Sequence, residues 1–207
     1  MVGKHPLQPR QDTRLRIMNA AWEAFREKGY RVSLETVAAH AGVARQTLYN
    51  HFPGKKLLFG EVVRHATRSI LVTLEGGGPL RATLVAFGRA LRERVLSPDG
   101  IAVYRTLVAE AATFPDLADH FFAEGPVATR QRLAHVLSEA MKQGMLRRAD
   151  PAFAAEMLIA MLIEFDRLRC LLARGGQAGG KDKTERVVDC FLRAFAPEAP
   201  PKKKENP

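Results

Sequence analysis

Apolar residues recur at three- and four-residue spacing along most of the chain, and polar breaks rich in Gly or Pro separate these segments. Such spacing places the apolar side chains on one face of a helix. No segment shows the strict apolar–polar alternation of a half-buried strand. The pattern therefore predicts an all-α fold, with helices over residues 13–28, 55–74, 80–96, 101–113, 117–123, 126–143, 151–173 and 184–195.

Several breaks have a sequence that suggests their conformation. Residues 97–100 are predicted to form a turn that closes the helix beginning at Leu80. Pro126 suits the first position of a helix, where its missing N–H has no partner to lose. The glycine run 76–78 is not followed by Lys and Ser or Thr, so we interpret it as a loop and not as a phosphate cradle.

Residues 33–52 predict a helix, a tight turn and a second short helix. Ser33 is a good N-cap residue because its hydroxyl can accept a hydrogen bond from a free N–H of the first turn. Gly42 suits the left-handed conformation that ends a helix. An αα-corner of an ordinary helical protein has this pattern, but so does a helix-turn-helix, whose second helix enters the DNA major groove. The outward positions of the second helix are polar: Arg45, Gln46, Thr47, Tyr49 and Asn50.

The segments on both sides of this stretch match a known pattern. The matching residues are Ile17, Ala20, Ala21, Phe25 and Gly29 of the first helix, Ser33, the turn Ala41-Gly42-Val43, and Thr47, Leu48, Tyr49, Phe52, Pro53 and Lys55. Over residues 14–59, without a gap, the sequence resembles the TetR/AcrR family of transcriptional regulators. Residues 104–122 and 144–151 resemble, more loosely, the C-terminal half of a large TetR subgroup.

The resemblance implies which side chains contact DNA. Arg45, Gln46 and Asn50 fall on positions that read base edges, where Arg suits guanine and Gln or Asn suits adenine. Ala44 replaces the Ser or Thr common at the start of the recognition helix, which puts a phosphate contact there in doubt. His51 has an alternative interpretation as a capping or surface histidine. Phosphate contacts are expected from Ser33, Thr36, Thr47, Tyr49, His51 and Lys55.

The resemblance also implies the organisation of the chain. We expect a flexible basic arm over 1–12, a helix-turn-helix domain over 13–58, a helical effector-binding and dimerisation domain over 59–196, and a disordered tail over 197–207. A homodimer would hold two recognition helices about one turn of DNA apart on a palindromic operator. A small-molecule effector would then release the DNA, as in a repressor. No cofactor is expected, and a helical DNA-binding protein without an effector is the alternative.

An effector pocket is expected among the middle helices, with an apolar lining and a few polar groups that orient the ligand. Glu164 is unusual because MLIAMLI precedes it and Phe165 follows it, which leaves it little access to water. It is either paired with Arg167 or Arg169, placed at a dimer interface, or an anchor for a cationic or hydrogen-bond-donating ligand. The candidates are Phe87, Tyr104, Arg105, Leu107, Glu110, His120, Phe121, Phe122, Met141, Met161 and Glu164.

The helix over 151–173 is apolar on most sides, so it must be covered on most sides. Together with the last helix it predicts a four-helix dimer interface. The residues expected there are Met157, Leu158, Leu162, Phe165, Leu168, Leu172, Val187, Val188, Phe191 and Leu192.

The charge distribution favours a polyanionic partner. The 207 residues include 32 Lys or Arg and 22 Asp or Glu, for a net charge of +10. Residues 1–68 hold 12 of the basic and 5 of the acidic residues, so most of the excess surrounds the helix-turn-helix. Such an excess suits DNA or an anionic membrane surface. No apolar run is long enough to span a bilayer and no signal-peptide segment is present, so we expect a cytoplasmic protein.

An enzyme is the competing class of function. The pairs Asp116/His120 and His135/Glu139 lie four residues apart, which is ordinary for a helix surface. No Ser or Cys occupies a recognisable nucleophile elbow. Two cysteines are too few for a usual zinc site, and we expect both to be buried small hydrophobes. The sequence therefore predicts neither catalysis nor a metal site.

Overall fold

The computed structural model describes residues 9–172 and 181–197. Within these ranges the chain forms ten α-helices and no strand, in agreement with the predicted all-α class. The helices are α1 (Pro9–Lys28), α2 (Leu34–His40), α3 (Arg45–His51), α4 (Lys55–Leu71), α5 (Leu80–Val95), α6 (Pro98–Glu110), α7 (Pro115–Phe122), α8 (Ala128–Lys142), α9 (Pro151–Leu171) and α10 (Lys181–Ala194).

The turn between α2 and α3 has the predicted geometry. Gly42 has φ +62°, which only glycine adopts without strain. Its N–H donates to the Ala39 carbonyl, and the N–H of Val43 donates to the Ala38 carbonyl at 3.0 Å. This pair of bonds is a Schellman motif, which satisfies the last carbonyls of α2 and sets the direction in which α3 departs.

The described residues divide into two compact units. Of these residues, the first unit contains 9–69 and 94–128, and the second contains 70–93, 129–172 and 181–197. The helix-turn-helix therefore shares its unit with α6 and α7, which the sequence analysis had assigned to a separate effector domain. The physical reason is the core, because Val103, Leu107 and Leu117 are buried together with Ile17 and Leu48 of the helix-turn-helix.

An aromatic cluster joins the end of α1 to α4 and α7 within the first unit. The Tyr30 ring lies 5.6 Å from that of Phe59 and 5.5 Å from that of Phe114, both edge-on. The Phe25 ring lies 5.9 Å from that of Tyr30 and 5.3 Å from that of Phe59. Such edge-to-face pairs add to the stabilisation that burial already supplies. The cluster fixes the first and fourth helices around the DNA-binding helices.

A buried charged cluster ties α5, α9 and α10 together in the second unit. Asp166 is 2% exposed and pairs with Arg92 at 2.8 Å and with Lys183 at 2.7 Å. Arg92 also donates to the Leu162 carbonyl. A Cβ at Gly88 would approach Thr184 to 2.8 Å, so α5 needs glycine there to reach α10. Three helices distant in sequence thus meet at one ionic centre.

Three helix boundaries differ from the predictions. α1 begins at Pro9, so residues 9–12 are helical and not part of a flexible arm. Residues 98–100 are not a turn but the start of α6, because the Gly100 N–H donates to the Ser97 hydroxyl and Pro98 takes the first helical position. The same hydroxyl donates to the Arg94 carbonyl at 3.0 Å, so Ser97 also closes α5. Pro126 lies inside a π-helical turn over 123–127 that joins α7 to α8. A wider turn accommodates a residue that has no N–H to donate.

The predicted end of α4 and the loop after it are confirmed, since α4 passes into a 3₁₀ turn over 72–74 and the glycine run 76–78 is a loop. The break predicted at residues 114–116 lies earlier, because α6 ends at Glu110 and α7 begins at Pro115. The expected arm over 1–8, the expected loop over 175–180 and the expected disordered tail from 198 onward lie outside the described residues.

Candidate nucleic-acid interface

The short helix α3 has one buried and one exposed face. Leu48 is fully buried in the core of the first unit, and Phe52, at the C-terminal end of the helix, is 1% exposed. Arg45, Gln46 and Asn50 are exposed. Because the apolar positions hold the helix against the core, its polar positions face outward together. The three residues predicted to read bases are therefore all available to a partner.

Two of these residues are joined to each other. The Gln46 side-chain N–H donates to the Asn50 carbonyl oxygen at 3.0 Å, across one turn of α3. This bond leaves the side-chain carbonyl of Gln46 and the side-chain N–H groups of Asn50 to pair with a base edge. It also holds the two amides side by side, so they present donors and acceptors as a pair.

The side chain of Arg45 is oriented by two neighbours. It forms an ion pair with Glu35 of α2 at 3.0 Å, and its guanidinium lies 5.4 Å from the centre of the Tyr49 ring. The contact with Tyr49 and the charge of Glu35 raise the pKa of Arg45. Sequence reasoning missed Glu35, whose place across the turn from Arg45 could be inferred only from the tight geometry at Gly42.

Ser33 acts as the predicted N-cap of α2. The Thr36 N–H donates to its hydroxyl at 3.1 Å, and the two hydroxyl oxygens lie 3.0 Å apart. Ala44 occupies the N-cap position of α3 with no side-chain hydrogen bond. The first turn of α2 is thus satisfied within the chain, whereas the first turn of α3 has no side-chain cap.

The predicted phosphate contacts lie in different environments. Lys55 places its ammonium 4.5 Å from the centre of the Tyr30 ring, and burial lowers its pKa. Thr47, Tyr49 and His51 are partly exposed on α3. Lys55 would have to turn away from Tyr30 to reach a phosphate, so its role in DNA binding stays a prediction.

Two family models match the chain. Residues 17–62 match the model described as bacterial regulatory proteins of the tetR family. Residues 82–197 match the model described as the C-terminal domain of AefR-like transcriptional repressors. The chain belongs to the TetR family. It is accordingly a DNA-binding transcriptional regulator, and the resemblance found in the sequence is confirmed.

Solved structures of other regulators are similar over almost the whole chain. A TetR-family regulator from Mesorhizobium loti is 27% identical with a TM-score of 0.71, covering 91% of this chain and 97% of that one. The flavonoid-responsive regulator FrrA is 29% identical with a TM-score of 0.70, covering 91% and 100%. A regulator from Pseudomonas aeruginosa, at 21% identity and a TM-score of 0.67 over 91% and 92%, shares the fold. No curated protein matches the sequence significantly.

The residues predicted to line an effector pocket of this TetR-family protein are spread over both compact units. The first unit contains Tyr104, Arg105, Leu107, Glu110, His120, Phe121 and Phe122, and the second contains Phe87, Met141, Met161 and Glu164. Phe87, Leu107 and Met141 are buried, each within its own unit. Phe122 and Met161 are exposed. The pocket therefore stays a prediction.

The expectation that Glu164 has little access to water is wrong. Its side chain is 52% exposed and forms an ion pair with Arg167 at 2.5 Å along the surface of α9. The buried carboxylate of this helix is Asp166, two residues later. Side chains two apart on a helix point away from each other, so the apolar neighbours of Glu164 in sequence do not surround it in space.

The predicted dimer-interface residues fall into three groups. Leu158, Leu162, Val188 and Phe191 are buried in the second unit, so their apolar surface is already covered by the chain itself. Phe165, Leu168 and Leu172 are exposed on α9. Met157, Val187 and Leu192 are partly exposed. Only the second and third sets can contribute area to a partner.

The two cysteines lie in different environments. Cys170 is partly buried, but Cys190 is exposed and accepts a hydrogen bond from Arg193, so the expectation that both are buried is wrong. Among the described residues, no group of three or more His, Cys, Asp or Glu could hold a metal ion. In the same residues, no helix has the length and apolar character needed to cross a membrane.

Proposed function

We propose that this regulator is a homodimeric repressor that binds a palindromic operator through two copies of α3 and leaves it when a small molecule binds. The observation that carries the proposal is that Gln46 and Asn50 are exposed and hydrogen-bonded to each other on α3. Leu48 on the opposite face of this helix is fully buried and anchors it to the core. Amide side chains in this arrangement suit the N6 and N7 atoms of adenine in the major groove. Arg45, which is oriented by its ion pair with Glu35, lies on the same exposed face of α3 and suits guanine.

Dimer formation is supported by the surface of α9. Phe165 is 68% exposed, and Leu168 and Leu172 follow it on the same side of the helix. Monomeric proteins rarely leave a large contiguous apolar patch in water, and burial stabilises by about 25 cal/mol per Å². A second copy of α9 would cover this stripe. In a two-fold dimer the same stripe would serve both partners.

An aromatic effector is supported by the relative FrrA, whose name describes it as flavonoid-responsive. A flat aromatic ligand would suit Phe87 and Met141, two apolar residues of the second unit that are predicted to line the effector pocket. We assign the protein no catalytic activity and place it in the cytoplasm, where an operator is accessible.

Selection of bound sequences from a random DNA pool tests the operator proposal. We expect enrichment of an inverted repeat whose half-sites lie about 34–36 Å apart, which is one turn of the double helix. A thermal-shift screen with flavonoids should then identify ligands that also release the selected DNA. Enrichment of single half-sites, or of no sequence, would contradict the dimeric mode. Ligands that bind without releasing DNA would support a DNA-binding protein without effector control.

A further inference from the structure

The first unit carries an open groove of about 290 Å³ between α1 and α4. Met18 and Val62 form an apolar floor, and each is only 4% exposed. Ala66 lies beside them on α4. The groove shares no residue with the effector pocket predicted among the middle helices, so it has to be explained separately.

One wall of the groove is a cation stacked on an indole ring. The guanidinium of Arg94, at the C-terminal end of α5, lies 4.3 Å from the centre of the Trp22 ring. Arg94 is partly buried, and this burial lowers its pKa while the charge of Asp99 raises it. Asp99, however, forms its ion pair with Arg26 at 2.8 Å.

Arg94 is therefore a partly desolvated cation, and Asp99, the carboxylate whose charge acts on it, is paired with Arg26. In the part of the chain that the structure describes, no ion pair joins it to an acidic side chain. Removing a charge from water is costly unless an opposite charge or several hydrogen bonds compensate for it. A guanidinium matches a carboxylate in geometry, because two parallel N–H groups meet its two oxygens.

The rim of the groove supplies further polar groups. Asn19 and His65 are exposed at its edge, and both side chains carry N–H groups that can donate to an anion. The Ser69 hydroxyl donates to the Ala66 carbonyl at 3.1 Å, which leaves its oxygen free to accept a hydrogen bond. The groove thus combines an apolar floor, an aromatic wall, one cation and a few polar groups.

We propose that this groove is a binding site for a small aromatic carboxylate. The ring of the ligand lies on Met18 and Val62 beside Trp22, and its carboxylate pairs with Arg94. The volume of about 290 Å³ lies just below the range of about 300–1,000 Å³ for small-molecule sites, which restricts the ligand to one or two rings. The site is separate from the proposed effector pocket and does not depend on the proposed operator.

Trp22 is the only tryptophan of the chain, so its fluorescence and its indole N–H resonance report on this groove alone. We expect titration of the full-length protein with benzoate to shift both signals to saturation. Benzamide has the same shape without the charge, and we expect it to bind about tenfold more weakly, because hydrogen bonds between ions are stronger than those to neutral groups. Equal binding of the two probes, or no saturable shift with benzoate, would overturn the proposal.

Two variants and one control locate the site. Arg94→Gln should weaken benzoate binding about tenfold or more, whereas Arg68→Gln, an exposed arginine on α4 outside the groove, should leave it unchanged. Ala66→Leu should block binding by filling the floor without altering any charge, which keeps the test valid if Arg94→Gln does not fold. Unchanged benzoate affinity in a folded Arg94→Gln or Ala66→Leu protein would refute the site.

Discussion

Two carboxylates on α9 illustrate how position around a helix determines the energetics of a charge. Asp166 is buried and holds both Arg92 and Lys183, whereas Glu164 is exposed and pairs only with Arg167. An exposed ion pair contributes little because water screens it. A buried carboxylate between two cations matters more, since its loss leaves their charges uncompensated in a medium that solvates them poorly.

We expect Asp166→Asn to lower the free energy of unfolding by about 3–5 kcal/mol, the usual cost of removing one partner of a buried pair. Glu164→Gln, on the same helix, should change it by less than about 1 kcal/mol. Urea unfolding followed by circular dichroism measures both. Similar losses of unfolding free energy for the two variants would show that the Asp166 cluster does not stabilise the fold more than an exposed ion pair does.

The same cluster predicts a dependence on acid. Burial opposes ionisation of Asp166, but its bonds to Lys183 and Arg92 prevail and hold its pKa below the ordinary value of an aspartate. A carboxylate with a lowered pKa stabilises the fold fully above its unfolded pKa and loses that contribution as the pH falls through the folded one. The stability difference between wild type and Asp166→Asn should therefore be constant near neutral pH and shrink below about pH 4. A stability difference that grows as the pH falls would contradict a lowered pKa of Asp166.

On α3 the relevant residues are Gln46 and Asn50. We expect alanine at either position to weaken binding to the selected operator by roughly 1–3 kcal/mol and binding to random DNA very little. Because the two side chains are hydrogen-bonded, the double variant should lose less than the sum of the single losses. Fluorescence anisotropy with operator DNA and with random DNA measures these losses. Gln131→Ala, which replaces an exposed glutamine on α8, is the matched control. Equal losses on operator and random DNA would assign both residues to phosphate contacts.

At the scale of an element, the turn between α2 and α3 depends on the conformation of one residue. Gly42 has φ +62° and an added Cβ there would meet nothing within 4 Å. Any cost of a side chain at this position is therefore backbone strain and not a clash. Gly78, in the loop before α5, also has open space around its Cβ position, but its φ is not positive. The two glycines separate conformational strain from packing.

We expect Gly42→Ala to destabilise the protein by about 1–2 kcal/mol, the usual cost of a left-handed conformation for a residue with a Cβ. Gly78→Ala should be neutral or slightly stabilising, since it restricts the unfolded chain without strain. Thermal unfolding of both variants measures the difference. Identical midpoints would mean that the turn relaxes to a conformation that alanine accepts.

At the scale of the whole molecule, α9 has two apolar faces with different roles. One face contains Leu158 and Leu162, which are fully buried in the second unit. The other contains Phe165, Leu168 and Leu172, which are exposed. A single protomer covers only the first face, so the second remains for a partner in the proposed dimer.

We expect Phe165→Glu to shift the protein from dimer to monomer at micromolar concentration, because a carboxylate would be buried against the partner without a counter-charge. Val108→Glu replaces an equally exposed apolar residue on α6 and should leave the dimer intact. Sedimentation equilibrium distinguishes the two species. A wild-type protein that is already monomeric under these conditions would contradict the proposed assembly.

The helices, the turn at Gly42 and the membership of the TetR family could be predicted from the sequence alone. Caps, breaks and apolar spacing are local properties of neighbouring residues, so they need no knowledge of distant contacts. Ser33, Gly42 and the exposed face of α3 were predicted correctly for that reason. Local signals were ambiguous where a proline or serine suits both a turn and a helix start. This accounts for the errors at Ser97 and Pro126.

Which charges are buried and which apolar residues are exposed depends on packing between distant parts of the chain. Glu164 has the more apolar neighbours in sequence, Ile163 and Phe165, but it is Asp166, beside Arg167, that is buried against α5 and α10. Likewise, α6 joins the core of the helix-turn-helix through Leu107, a contact between residues far apart in the chain. Burial depends on which distant elements pack against a face, and helical periodicity defines the face without naming what covers it.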